Sequence, residues 1–325
     1  MAKEIWVFAE RNGNEPAGVV YELLSKSRSL AEEMGGYKVA AVVLGRGNDL
    51  AFEKLMEGGA EIIYSADHPA LRDYRCDIYG LTLEKLVRTY APEYLFMGAT
   101  GIGSELAPTT AGLLKTGLAA HCIDLRWNGE RLNCMVPAFG GKVVSEIYIP
   151  NARPVMASVR PGILDTVPVK AANVQILSTE TAFLDSAESG EEFLGFESAK
   201  KAEGDITEAK VVVAAGRGAA SDAAWKGVTD LTESLGAALA WSRALIDTGR
   251  VPDESGMIGT SGKSVKPDVL INVGVSGAAQ YICGIGKSRT IISINKDKSA
   301  KIFEHSDYGV VGNAARILNA LLEKL

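Results

Sequence analysis

The stretch "INVGVSGAAQYICGIGKS", residues 271–288, decides how the rest of the chain is read. An apolar, β-branched run ends on Gly274, and small residues lead from it into helical spacing. A strand that enters a helix through a glycine turn is the building unit of a parallel α/β sheet. Ligands of such sheets gather beyond the carboxyl ends of the strands. The turn itself is either a compact loop or a cradle for an anion, which the N–H groups of a helix start attract. Tyr281 lies about one turn further on. It is either packed in the core or turned toward whatever binds.

Working outward, the same step recurs through the C-terminal third. "KVVVAAGRG" (210–218), "ALAWSR" (238–243) and "TIISINKD" (290–297) are apolar strands that end in glycine, hydroxyl or basic residues. They offer Arg217, then Ser242 and Arg243, then Asn295 and Lys296, beside Ser276 of the opening stretch. A loop "GMIGTSGKSVKP" (256–267) adds Thr260, Ser261 and Lys263. Taken singly, each has a plain explanation as a turn or a surface ion pair. "GTSGKS" lacks the glycine spacing of a phosphate-wrapping P-loop, and no G-x-G-x-x-G is present. Taken together, free N–H groups, two arginines, two lysines and small residues suit a dinucleotide in an extended pose.

The first half alternates too. Strands are expected at 4–10, 37–45, 61–67 and 94–100, and helices at 17–36, 49–59, 79–94 and 104–117, the last broken at Pro108. The rhythm then changes over 122–162, where "WNGE" signals a hairpin and short strands suggest an antiparallel addition to the sheet edge. Residues 184–209 are dense in charge and poor in large apolar side chains. The expected organisation is therefore an N-terminal α/β domain over 1–185, a linker over 186–209 and a C-terminal Rossmann-like domain over 210–325.

Composition sets the bounds. The 325 residues are 47% hydrophobic and 23% charged, with a formal net charge of −6. That is ordinary for a soluble protein and speaks against a nucleic-acid surface. No run approaches a membrane span, and "MAKEIWVFAE" lacks a signal peptide's pattern, so a cytoplasmic protein is expected. Cys76, Cys122, Cys134 and Cys283 are widely separated, and only three histidines accompany them. No metal site is expected. A catalytic triad or a clear carboxylate pair is likewise not visible.

The motifs "AGRG", "SRALIDTGRVP", "IGTSGKSVKPDVLINVGVSGAAQY" and "INKDKSAKIFEHSDYGVVG" resemble the C-terminal FAD domain of the electron transfer flavoprotein alpha subunit family. "MGATGIGSELAPTTAGLLKTGLAAHCIDL" and "PAFGGKVVSEIYIPNARPVMASVRPG" resemble that family's N-terminal domain. The resemblance covers nearly the whole chain, with several motifs in order. It implies an FAD-binding subunit of a heterodimer with an electron transfer flavoprotein beta subunit. Such a protein shuttles electrons between a flavin dehydrogenase, often of the acyl-CoA type used in fatty acid β-oxidation, and a redox acceptor.

Residue by residue, the resemblance implies that Arg243 lies over the flavin ring and that Ser242 hydrogen-bonds nearby. Arg217 faces the cofactor or the partner. Gly274, Ser276, Gly277 and Ala278 belong to the join that receives the pyrophosphate, followed by Gln280. Asn295 and Lys296 belong to the ribose–phosphate end.

Four positions depart from the family pattern. Thr260-Ser261-Gly262-Lys263 stands where Q-T-G-K is usual, so Ser261 keeps the hydroxyl and Thr260 loses an amide. Tyr281 replaces a histidine that can donate to the flavin C2 carbonyl. A neutral phenol there would stabilise flavin negative charge less, since charge-assisted bonds are stronger; packing in the core is the alternative. Asn313 replaces an aspartate common near the adenine, and Val136 replaces an arginine on the segment that faces the beta subunit.

Two further readings stand beside the simple carrier. One is a bifurcating relative using NADH and ferredoxin; the other is a flavin-free nucleotide-binding scaffold.

Overall fold

The computed structural model describes residues 2–139, 143–167, 169, 171, 173–195, 206–207 and 209–325. The chain divides into two compact units: Met1–Pro137 with Val144–Phe196, and Ala138–Val143 with Glu197–Leu325. Of the expected linker, residues 196–205 and 208 lie outside the described residues.

The first unit is built on β1 (Ala2–Phe8), β2 (Lys38–Gly45), β3 (Ile62–Asp67), β4 (Pro92–Gly98), β5 (Leu118–Cys122), β9 (Val155–Val159) and β10 (Gln175–Ser178). They form one seven-stranded sheet in the order β10-β3-β2-β1-β4-β9-β5, and all its pairings are parallel. Both faces are covered, which is why the central strands read as unbroken apolar runs. Ile5 and Val7 enter one core, and Trp6 and Phe8 enter the other. The covering helices are α1 (Gly18–Met34), α2 (Asp49–Glu57), α3 (Cys76–Tyr90) and α4 (Gly101–Leu114).

Two expectations are corrected here. Helix α4 is continuous through Pro108. The bond lost to the proline ring would have used the Ser104 carbonyl, and both residues lie on the exposed face, where water can replace it. The antiparallel segment does not extend the main sheet. β6 (Asp124–Trp127), β7 (Leu132–Ala138) and β8 (Val143–Ile147) form a separate three-stranded sheet in the order β8-β7-β6. The β6–β7 pair is the antiparallel hairpin that "WNGE" signals. β9 then returns to the main sheet, parallel to β4 and β5.

The hairpin is tied to α1 by charge. Asp124 accepts from Lys26 Nζ at 2.8 Å and from Arg126 Nε at 2.7 Å. Burial opposes ionisation, but the bonds from Lys26 and Arg126 prevail and hold the carboxyl below its ordinary value of 3.8. A depressed folded-state value stabilises the fold above the ordinary value, and the contribution is lost as pH falls through the depressed one. Asp124→Asn is therefore expected to cost about 1 kcal/mol near neutrality. The gap between the thermal midpoints of the two proteins should close as the buffer is acidified below the ordinary carboxylate range.

The described start of the expected linker is docked on the first unit. Ser189 Oγ and Gly190 N–H donate to Asp77, at 2.9 Å and 2.7 Å, and Cys76 N–H donates to Glu191 at 2.9 Å.

The second unit holds β11 (Val211–Ala215), β12 (Ala238–Trp241), β13 (Val269–Val273), β14 (Ile291–Asn295) and β15 (Tyr308–Val311). They form a five-stranded, wholly parallel sheet in the order β12-β11-β13-β14-β15. Alternation again feeds two cores: Val213 and Ala215 on one face, Val212 and Ala214 on the other. Its helices are α5 (Asp222–Ser234), the short α6 (Arg243–Ile246), the single-turn α7 (Ala279–Ile282) and α8 (Ala314–Leu322).

Candidate functional site

Because the five strands of the second unit are parallel, their carboxyl ends share one edge. Across it lie Ser242 and Arg243, then Gly216 and Arg217, then Gly274 to Ala278, then Asn295 and Lys296, and finally Gly312 and Asn313. The chain passes from β11 to β12 on one side and then crosses to β13 on the other. The strand order therefore reverses between β11 and β13, the position where open α/β sheets bind ligands. The two loops there touch backbone to backbone. Gly218 N–H donates to the Gly274 carbonyl at 3.0 Å. Gly274 has φ +66, and a Cβ on it would lie 2.6 Å from the Gly218 carbonyl carbon.

The next residues form the cradle. Ser276 and Ala278 are exposed, while Gly277 between them is buried. Gly277 adopts φ +80, and a Cβ there would collide with the backbone of Ile302. Ile302 N–H donates to the Ser276 carbonyl at 3.2 Å. The N–H groups of Ser276, Gly277 and Ala278 have no hydrogen-bond partner among the described residues.

Charge and hydroxyls flank this cradle. Arg217 and Lys296 are exposed and form no ion pair among the described residues. Arg243 is exposed, donating to Glu254 at 2.8 Å, with Asp247 at 3.5 Å. Ser242 is buried, and its hydroxyl has no partner among the described residues. The loop with Thr260, Ser261, Gly262 and Lys263 is fastened to α7. Thr260 donates to the Gln280 carbonyl through its N–H at 2.8 Å and through its hydroxyl at 3.2 Å. Ser261 and the Gln280 side chain stay at the surface.

Three of the expected site residues have local partners within the protein. Tyr281 is buried, and its hydroxyl donates to Asn272 Oδ1 at 2.5 Å. A phenol has one proton to give, and here it goes to Asn272, the arrangement of the packing alternative. Burial drives its pKa far above the ordinary value, so the group stays neutral. Asn295 braces two loops, donating to the Val275 carbonyl at 2.7 Å and accepting from Asp297 N–H at 3.0 Å. Asn313 is the N-cap of α8, accepting from Arg316 N–H at 3.3 Å.

Comparison with known proteins agrees with this architecture. Residues 5–182 match the electron transfer flavoprotein domain, and residues 205–286 match the electron transfer flavoprotein FAD-binding domain. The alpha subunit of Thermoanaerobacterium thermosaccharolyticum electron transfer flavoprotein is 34% identical, over 99% of this chain and 98% of its own length. The chain belongs to the electron transfer flavoprotein alpha family. Protein FixB of Clostridium saccharobutylicum is 38% identical over 98% of this chain and 95% of its own. The acryloyl-CoA reductase electron transfer subunit beta of Anaerotignum propionicum is 31% identical over 99% and 95%.

The cofactor of this family's second domain is FAD. The residues present fit it. The inward-facing glycine leaves room for a backbone loop with three unengaged N–H groups, which suits a pyrophosphate. Arg217, Lys296 and the Ser242 hydroxyl, which have no side-chain partner among the described residues, supply complementary groups along the same edge. A cavity of about 320 Å³ lies in the first unit, lined among others by Arg72, Arg75, Glu191 and Phe193, and includes none of these residues. It mixes both charges and lies in the first unit, outside the residues that match the FAD-binding domain.

Sequence reasoning overlooked several contributors. Glu254 and Asp247 steady Arg243, and Ile302 packs on Gly277. Asn272 and Ser293 are polar residues at the centre of apolar strands, and that interruption was the available signal. No group of His, Cys, Asp or Glu suited to a metal occurs among the described residues.

Proposed function

We propose that this chain is the FAD-holding subunit of a heterodimeric electron transfer flavoprotein, completed by a beta subunit. It accepts electrons from a flavin dehydrogenase of the acyl-CoA type and delivers them to a further redox acceptor. The observation that carries the reading is the single carboxyl edge on which N–H groups, cations and the Ser242 hydroxyl, all without partners among the described residues, gather. FAD, when bound, supplies the redox chemistry, and the protein supplies binding, orientation and electrostatics. The chain's own part follows from its groups. Ser276, Gly277 and Ala278 hold the pyrophosphate. Arg217 and Lys296 offset negative charge. Arg243 and Ser242 stand by the ring, and Ser261 reaches it from the 256–263 loop.

A relative named as an acryloyl-CoA reductase electron transfer subunit supports an acyl-CoA partner. Fatty acid β-oxidation is one setting in which such a partner occurs. No helix among the described residues is long and apolar enough to cross a membrane. The cysteines form no disulfide among the described residues and three of them are buried, which favours a reducing compartment such as the cytoplasm.

Co-expression with the neighbouring beta subunit tests the reading. A yellow heterodimer containing FAD, reduced by an acyl-CoA dehydrogenase with its substrate, is the expected result. Two FAD per heterodimer with direct reduction by NADH would replace the simple carrier by a bifurcating one. A heterodimer that stays colourless in excess FAD would overturn both.

A further inference from the structure

The buried polar residues beneath the cradle form one continuous chain. Tyr281 O–H donates to Asn272 Oδ1 at 2.5 Å, and Asn272 Nδ2 donates to Ser293 Oγ at 3.2 Å. Ser293 Oγ and Ser306 Oγ lie 2.7 Å apart, and Ser306 Oγ lies 2.7 Å from the Ile302 carbonyl. A carbonyl only accepts and a hydroxyl has one proton. Ser306 therefore donates to Ile302, and Ser293 donates to Ser306. The direction is uniform from Tyr281 to Ile302, and no member of the chain is left without a partner.

The ends of the chain give it a purpose. One end is Tyr281, on the helical turn that directly follows the cradle. The other is Ile302, whose N–H holds the Ser276 carbonyl at 3.2 Å and whose backbone presses on Gly277. Residues 276–278 are thus gripped from both sides by one hydrogen-bonded path. Asn272 and Ser293 are fully buried in central parallel strands, where an apolar residue would cost nothing in desolvation. A satisfied polar network in such a place rigidifies what it connects.

We propose that the path Tyr281–Asn272–Ser293–Ser306–Ile302 preorganises the Ser276–Ala278 cradle for the cofactor's pyrophosphate, and that Tyr281 is a positioning residue of this site. The proposal rests on FAD binding at this edge. Loss of a link leaves a buried group unpaired and frees the loop, so the unliganded cradle samples shapes that do not bind.

The test uses the full chain in complex with its beta subunit, stripped of flavin and titrated with FAD, alongside thermal unfolding of the flavin-free complex. Tyr281→Phe is expected to raise the FAD dissociation constant about tenfold, through faster release. Ser306→Ala, at the opposite end, is expected to raise it severalfold. The double variant should bind little worse than Tyr281→Phe, because both changes break one path. The flavin potentials should stay in place in every variant that binds.

Dissociation constants within twofold of the parent, with only a lowered unfolding temperature, would reduce the path to a structural element and overturn the proposal. Additive effects of the two changes would do the same, as would a shifted potential at unchanged affinity in Tyr281→Phe. If Tyr281→Phe does not fold, Ser306→Ala decides by the same criterion. Gly277→Ala separates the two levels: if it too binds FAD normally, the placement of FAD at this edge has failed, not the positioning alone.

Discussion

Gly277→Ala is expected to yield a complex that has lost its FAD, with the C-terminal unit less stable than in the parent. The backbone at this position is in the left-handed region at φ +80, which alanine adopts only at a cost. The added Cβ also meets a wall that cannot swing aside, because its neighbours are backbone atoms, among them the Ile302 Cα at 2.6 Å. Strain of this kind costs about 1–3 kcal/mol, and relief requires the loop to leave Ile302. The N–H groups of Ser276, Gly277 and Ala278 are then no longer held in place by that contact. A penalty of about 3 kcal/mol expressed in binding weakens affinity roughly 100-fold, enough to strip flavin during purification.

Gly286→Ala in the same stretch is the control. Its Cβ would meet only the Ile282 carbonyl oxygen at 3.9 Å, an ordinary contact. It should be neutral or slightly stabilising, by about 0.4–1 kcal/mol. Flavin absorbance of the purified complexes and their unfolding temperatures check both variants. Normal FAD content in Gly277→Ala would remove the cradle from the binding site.

The contrast between these two glycines shows what sequence could and could not convey. Strand and helix identity was legible wherever burial imposes a period. "VVVAA" and "LINV" are buried on both faces and end at glycine, and the structure has β11 and β13 there. β15 escaped notice because its four residues are all exposed and carry no core-facing pattern. β10 is similar, a short edge strand with mostly exposed residues. Pro108 reads as a break in the sequence, and only the fold shows that it lies on the exposed face of α4.

At the site, the strand-end residues were found by type and location, which the parallel topology then placed on one edge. The direction of a side chain is a different matter. Asn295, Asn313 and Tyr281 all sit where the motif order put them, yet each meets a local partner: a neighbouring loop carbonyl, a helix N-terminus, a buried amide. Those partners come from other strands or from the geometry of a cap, so no one-dimensional spacing announces them. The polar chain under the cradle is the clearest case. Its members are spread from Asn272 to Ser306 and become adjacent only through the pairing of β13 with β14.

Arg243→Ala is expected to lower the flavin's midpoint potential while leaving the fold nearly intact. Arg243 has a side chain about three-fifths exposed (61%), paired with Glu254 at 2.8 Å and loosely with Asp247 at 3.5 Å. Exposed pairs of this kind contribute about 0–1 kcal/mol to stability, so thermal unfolding should move little. If the same guanidinium stands by the ring as proposed, it acts on a different quantity, because the ring gains negative charge on reduction. Removing a fixed cation disfavours the reduced form, and a tenfold change in that equilibrium is about 59 mV for one electron. A fall of roughly that size, partly restored in Arg243→Lys, is the expected outcome of a redox titration.

Glu254→Gln should act in the opposite direction, because it removes the carboxylate that partly offsets Arg243. Both shifts should shrink as salt is raised, since these charges face solvent. A flavin retained at unchanged potential in Arg243→Ala would mean that the guanidinium serves the surface pair alone. The cation by the ring would then have to be sought in Arg217, which forms no ion pair among the described residues and lies on the adjacent strand end.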